Sequence, residues 1–163
     1  MQAIVATLIA LAVTAMGVIE VMQHSDSLFG SSKVSGQITD IADLMSHSKQ
    51  KMGALPNRYL NFSSAGALSL SAAGIIPPTM IVNGVLLNRW GMGITLGNAR
   101  TGGQAFFSTT WPDVTTCADI ASGLGGYESI TIGSTTFDRS NPPDAPTAAN
   151  ACSAGLTMTV SWS

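Results

Sequence analysis

The sequence predicts an α+β protein in which a long N-terminal α-helix packs against a C-terminal antiparallel β-sheet. Three observations lead there. Met1 to Met22 is an apolar run long enough for one continuous helix, and a helical stripe of apolar residues follows it. From residue 57 on, the chain breaks into short segments rich in Val, Ile, Thr and aromatics, cut by Gly, Pro, Asn and Ser. The expected division is a helical region 1–55, with an apolar segment 1–22 and an amphipathic stem 28–55, and a β-rich head 56–163. The head is long enough to build its own core.

Met1 to Met22 is interrupted only by Gln2, Thr7, Thr14, Gly17 and Glu20. As a helix it would be roughly 33 Å long, enough to cross a hydrocarbon core. It can be read as a secretory signal, a membrane anchor, or a mature helix that leaves the membrane to pack in a filament. No Lys or Arg precedes Lys33, which weakens the signal reading and makes Met1 look like the new N-terminus left when a basic leader is removed. Glu20 places a carboxylate in the last turn. It either sits near headgroups or solvent, or pairs with a cation of a neighbouring chain such as Lys33 or the Met1 amine.

In the stem, Val34, Ile38, Ile41, Met45, Met52 and Leu55 form the apolar stripe. Lys33, Asp40, Asp43, His47 and Lys51 make up the other face, read as solvated or as a lateral contact. Asp43 and His47 lie four apart, but two ligands without a third describe a surface pair better than a metal site. Gly17, Gly30 and Gly36 are weak helix points worth ~1 kcal/mol each, so local unwinding is expected near the first two. Gly53-Ala54-Leu55-Pro56 ends the helix.

The expected strands of the head are Leu86–Asn88, Gly93–Leu96, Ala105–Trp111, Ser129–Ile132 and Leu156–Trp162, the last alternating with period two. Ala65–Ala73 reads as a short helix or irregular turn before Ile75-Ile76-Pro77-Pro78. Thr115–Leu124 reads as a helix capped by Thr115 or Thr116 and ended by Gly123 or Gly125. Asn141-Pro142-Pro143-Asp144-Ala145-Pro146 reads as an exposed connection, and Pro142–Pro146 as outer surface.

Charged residues make up 10% and the net charge is −2, so there is no basic footprint for direct nucleic-acid binding. Low charge with abundant Ser, Thr, Gly and Ala suggests a surface covered by other protein copies, a composition that a secreted domain would share. The two cysteines, Cys117 and Cys152, read as a disulfide in a chain carrying an export or anchoring segment. Catalytic groups do not converge: the histidines are His24 and His47, with no Gly-x-Ser-x-Gly elbow, so no enzyme, cofactor or metal is expected. Gly91-Met92-Gly93 reads as turn glycines rather than a dinucleotide loop, and Asn61-Phe62-Ser63 as a chance sequon. Trp90, Trp111 and Trp162 read as core or subunit-contact residues ahead of a sugar-binding face.

Taken in order, the apolar helix and stem, Ile75-Ile76-Pro77-Pro78, Asn88-Arg89-Trp90-Gly91-Met92-Gly93-Ile94-Thr95, Ala105-Phe106-Phe107-Ser108, Cys117-Ala118-Asp119-Ile120-Ala121 and Ala151-Cys152-Ser153 resemble a type IVb pilin. The resemblance is to the short pilins of thin, flexible, conjugation-associated pili and covers nearly the whole chain. It implies the type IV pilin fold, a lollipop whose helix is half embedded in the filament core, and a C-terminal loop closed by a Cys117–Cys152 disulfide. It also implies a major pilin of a homopolymeric helical filament at the bacterial cell surface, used for adhesion or mating-pair contact with a recipient-cell receptor. The unassembled subunit would wait in the inner membrane and depend on a prepilin peptidase, an assembly ATPase and a platform protein. A minor pilin-like adhesin or a membrane-tethered binding domain is the alternative. One position departs from the family: many pilins carry glutamate at the fifth mature residue, where this chain has Val5 if Met1 is the start. Counting from Met16 would put Glu20 fifth but leave almost no apolar helix, so Glu20, Gln2 or packing alone would have to set the register.

Overall fold

The computed structural model describes residues 30–163. The chain divides into two compact units, Met1–Lys33 and Val34–Ser163, and the packing described below is that of the second. The expected helix Met1–Met22 lies outside the described residues. Helix α1 covers residues 30–51, with Gly30, Ser31 and Ser32 helical rather than an interruption. From Val34 on, its inward face carries Gln37, Ile41, Leu44, Met45 and Ser48, all buried, beside half-buried Val34, Ile38 and Met52. The stem stops at residue 51 rather than 55: Met52 N donates to Ser48 O at 3.0 Å to close the last turn, and Gly53 follows at φ +86. A left-handed glycine is the usual way to leave a helix. Leu55 therefore drops out of the apolar stripe and is 70% exposed.

The polypeptide then folds through a 3-10 turn, Ser64–Gly66, and helix α2, Ala67–Ala72, in the region expected to be helix or turn. Strands β1 (Ile81–Val82) and β2 (Val85–Leu86) form a small hairpin closed by Asn83-Gly84, at φ +52 and +81. Asn-Gly is the preferred pair for a two-residue hairpin turn, and it was legible in the sequence although the expected strand began at Leu86.

The main sheet contains β3 (Ile94–Ala99), β4 (Gln104–Thr110), β5 (Ser129–Ile132), β6 (Thr135–Asp138) and β7 (Thr157–Trp162), in the order β3-β4-β7-β5-β6 and antiparallel throughout. One face carries Ile94, Leu96, Ala105, Phe107, Ile130, Ile132, Phe137, Met158, Val160 and Trp162, all buried. Helix α1 lies on that face, since Trp162 Nε1 donates to Ser48 Oγ at 2.9 Å. Phe62 stands edge-on to Trp162, with ring centroids 5.6 Å apart. Tyr59 and Trp111 complete the aromatic core.

Two helices pack on each other beside the sheet. In α3, Val114–Gly123, the cap is Asp113 rather than Thr115 or Thr116; its Oδ1 accepts from Thr116 N at 2.8 Å. The helix α4, Ala145–Ala154, corrects the expectation of an exposed connection through Asp144-Ala145-Pro146. Asp144 and Thr147 form a reciprocal capping box, and Pro146 occupies the first turn, where a missing N–H costs no hydrogen bond. The proline cluster thus starts a helix, and Pro143 before it is buried. Hydrogen bonds from Thr147 hold the Asp144 carboxyl below the ordinary aspartate value of 3.8. A depressed carboxylate contributes stability above pH 3.8 that is lost as pH falls through its folded value. Asp144→Ala is expected to destabilise the head at neutral pH, as loss of an N-cap does. In acid unfolding curves the gap between variant and parent should close below pH 3.8; a constant gap would mean the loss is not that of the charged cap.

Candidate functional site

Cys117 of α3 and Cys152 of α4 are joined by a disulfide, with Cα atoms 6.0 Å apart and the two positions separated by 35 in sequence. Both are buried, so the link lies inside the α3–α4 interface rather than on its surface. It turns the segment from α3 through β5, β6 and α4 into a closed loop attached to the sheet.

The second device is a clasp between α1 and the Asn88–Gly93 turn. Arg89 Nε donates to Asp40 Oδ2 at 2.7 Å and Nη2 to Oδ1 at 3.1 Å. Asp40 also accepts from Thr79 Oγ1 at 2.8 Å, and the Arg89 backbone N donates to Gln37 Oε1 at 2.9 Å. Asp40 is buried, which corrects its assignment to the solvated face of the stem. Position 40 is adjacent to the 37–41–44 stripe, and a carboxylate can be buried there because a guanidinium meets it in bidentate fashion. The hydrogen bonds to Asp40 raise the Arg89 pKa above its ordinary value, so the guanidinium stays charged. The turn is shaped around Asn88, whose Oδ1 accepts from Trp90 N and Met92 N, both at 3.0 Å.

The third feature is the sheet face opposite the core. The strand registers align Thr95, Ser108, Thr159, Thr131 and Thr136 in one row across all five strands. Ser108 and Thr159 hydroxyls lie 2.9 Å apart, and Thr131 and Thr136 3.1 Å. A parallel row holds Ser161 and Ser129, 2.7 Å apart, with Gln104 Nε2 donating to Ser161 Oγ at 3.2 Å. At one end the face opens into a cleft of about 710 Å³ lined by Arg100, Gln104, Glu128, Ser129, Thr136, Asp138, Arg139, Ser140 and Ser163. Arg100 Nη1 donates to Glu128 Oε1 at 3.0 Å, and Arg139 Nε to the Tyr127 carbonyl at 3.1 Å. Asp138 accepts from Ser140 and Asn141, which hold its carboxyl below the usual value. Lys49 donates to the Gly126 carbonyl at 3.3 Å. Its pKa is lowered by partial burial and by the nearby Arg139 and Arg58.

The residues expected to matter separate clearly. Cys117 and Cys152 are brought together; Lys33 is exposed on α1; Met1, Gln2, Val5, Glu20 and His24 lie outside the described residues. Asp43 is exposed, and among the described residues no group of three His, Cys, Asp or Glu side chains stands close enough to hold a metal. Trp111 and Trp162 are fully buried and Trp90 packs edge-on to Trp111, with centroids 5.8 Å apart, so the three form no open platform. Gly91 does sit in a turn, at φ +79. Asn61 is exposed, while the Ser63 hydroxyl of that sequon accepts from Gly66 N. The Arg89–Asp40 clasp and the Arg100–Arg139 cleft were not singled out from sequence. Among the described residues no helix is long and apolar enough to cross a membrane.

A helix on the inner face of an antiparallel sheet, with a disulfide closing the C-terminal loop, describes a pilin-like protein. Residues 31–163 match the family model described as PilS N terminal, and the chain belongs to that family, which is related to type IV pilins. No curated protein matches the chain. The family places it among surface-exposed pilus components.

Proposed function

We infer that the chain is the major pilin of a type IVb pilus, a structural subunit without catalytic activity that polymerises through Met1 to Met22. The observation that carries this reading is the PilS N-terminal match over residues 31–163, on a helix-and-sheet head closed by the Cys117–Cys152 disulfide. The subunit waits in the inner membrane after cleavage by a prepilin peptidase. An assembly ATPase and a platform protein then move its apolar helix into the filament. Moving apolar side chains from lipid to protein gains little hydrophobic free energy, so packing must hold the bundle and a machine must extract each subunit. The head-to-tail contacts are heterologous and do not close, which gives an open helical polymer. Its use is adhesion or mating-pair contact with a recipient cell.

Electron microscopy of sheared surface material is the test, with the chain expected as the dominant protein of thin filaments and with Met1 leaderless by mass analysis. Its confinement to membranes or filament tips would instead support a minor pilin-like adhesin or tethered binding domain. Glu20 is the acid available for subunit registration, since position five is Val5. Glu20→Gln is expected to reduce the yield of sheared filaments about 10-fold, as for loss of one charge-assisted contact per subunit. An unchanged yield would leave register to packing.

A further inference from the structure

We propose that Asn83 is a site of spontaneous backbone modification, converted in water to aspartyl and isoaspartyl forms at the tip of the β1–β2 hairpin. The proposal does not rest on the pilin reading.

The chemistry needs a carboxamide, the backbone nitrogen that follows it, and water. Gly84 N attacks Asn83 Cγ and forms the new C–N bond of a cyclic imide. The bond from Cγ to the side-chain nitrogen breaks, and that nitrogen leaves as ammonia with the proton from Gly84 N. Water then opens the imide at either carbonyl. Opening at Cγ leaves a normal aspartyl residue, while opening at the backbone carbonyl routes the chain through Cγ and leaves an isoaspartyl residue. No oxidant or second substrate enters.

The attacking nitrogen decides which asparagine reacts, and the structure separates the seven in the chain. Asn57 and Asn61 are followed by nitrogens already engaged: Arg58 N donates to Leu55 O at 3.1 Å and Phe62 N to Tyr59 O at 2.8 Å. Arg89 N, after Asn88, donates to Gln37 Oε1 at 2.9 Å, and the Asn88 carboxamide is itself bonded through both its oxygen and its nitrogen. Asn98 gives its side-chain nitrogen to the Leu60 and Phe62 carbonyls. Asn150 lies inside α4, and Asn141 precedes Pro142, which has no N–H. Asn83 alone precedes a glycine, and among the described residues Gly84 N donates to no backbone carbonyl. Both residues are exposed, and a Cβ on Gly84 would meet nothing within 4 Å.

The hairpin supplies the motion. Asn83 and Gly84 are both left-handed, at φ +52 and +81, so ring closure waits for Asn83 to swing out of the turn. Only the Val82–Val85 pair closes the tip; beneath it Ile81 pairs with Leu86, which is buried. Val82 and Val85 are 48% and 56% exposed, so parting them gives up little apolar burial. A lone two-stranded hairpin is marginally stable, and such tips open far more often than a core does. The product is lasting. An isoaspartyl residue adds one carbon to the main chain, so the two-residue turn cannot close again in the same register. Either product also places a carboxylate in the segment 79–88, which carries no charged side chain.

The test is peptide mass analysis of the full chain kept folded in neutral detergent at mildly alkaline pH. Isoaspartyl groups are counted by methyl transfer from S-adenosylmethionine with an isoaspartyl methyltransferase. Asn83 is expected to convert before any other asparagine, and to both forms; Asn83→Gln should abolish the early methyl acceptance. Arg58→Gly creates a second Asn-Gly pair at an exposed asparagine but keeps the backbone hydrogen bond from position 58 to Leu55 O. Asn57 in that variant should therefore convert about 5-fold more slowly than Asn83, the factor that one hydrogen bond is worth. The proposal is overturned if Asn83 stays intact in the folded chain over the interval in which it converts in urea, if another asparagine converts first, or if Asn57 of the Arg58→Gly variant converts as fast as Asn83.

Discussion

Replacing Cys117 and Cys152 together by alanine is expected to lower the unfolding free energy of the head by about 3–4 kcal/mol. The link joins positions 35 apart, so its loss frees a loop containing most of α3, β5, β6 and α4 in the unfolded chain. Alanine is the informative replacement because both sulfurs are buried, and serine would add two hydroxyls needing partners. Urea unfolding followed by tryptophan fluorescence reads the loss directly, since Trp111 and Trp162 are buried in the core. A loss below about 1 kcal/mol would show that α3–α4 packing persists in the unfolded ensemble and that the link constrains little. Dithiothreitol should reproduce the double variant in the parent protein and change nothing in the variant itself.

The second large effect is at the clasp. Asp40→Ala takes a buried carboxylate away from the partly exposed Arg89 guanidinium and from Thr79, and is expected to cost about 1.5–2 kcal/mol. Asp40→Leu combined with Arg89→Met should recover most of that loss, because replacing a buried pair by apolar side chains is often neutral. Gly36 provides an independent probe from the helix side. A Cβ there would clash with the Arg89 guanidinium, so Gly36→Ala must displace it although alanine favours helix. The expected outcome is net destabilisation in the parent and a gain of up to ~1 kcal/mol in the Asp40→Leu, Arg89→Met background. Equal effects in both backgrounds would mean that Gly36 does not act through Arg89.

The sequence carried those features whose signals are local. Thr157–Trp162 alternates strictly, and Ser129–Ile132 is a short β-branched run; both became strands within a residue of the expected limits. The apolar stripe on α1 was visible through Val34, Ile38, Ile41 and Met45. What sequence left unread depends on partners far away in the chain. Asp40 looks like a surface residue until Arg89 is brought to it, and nothing within four positions of either one indicates the other. The helix α4 was missed for a different reason. Its prolines were weighed as sheet breakers, while Asp144 three residues before Thr147 was the available cap signal. At the cleft, Arg100 and Arg139 are isolated in sequence, and only the β3–β4 turn and the outgoing end of β6 bring them to one end of the sheet. The hydroxyl row was half legible, since alternation puts Thr157, Thr159 and Ser161 on one side, but which strands neighbour β7 is set by topology.

That topology also sets a timetable. The pairs β3–β4 and β5–β6 are hairpin-like and can form early, yet they touch only through β7, the last strand in sequence and the middle one in space. Until Thr157–Trp162 arrives, each pair has an unzipped edge, and Ser48 on α1 lacks Trp162. Closure therefore has to wait for distant contacts, the slow class of folding event. An interrupted chain would remain open along its midline, with sticky edges for proteases and chaperones to recognise. The central strand thereby decides when the sheet can close, since neither hairpin-like pair gains its inner neighbour until β7 is in place.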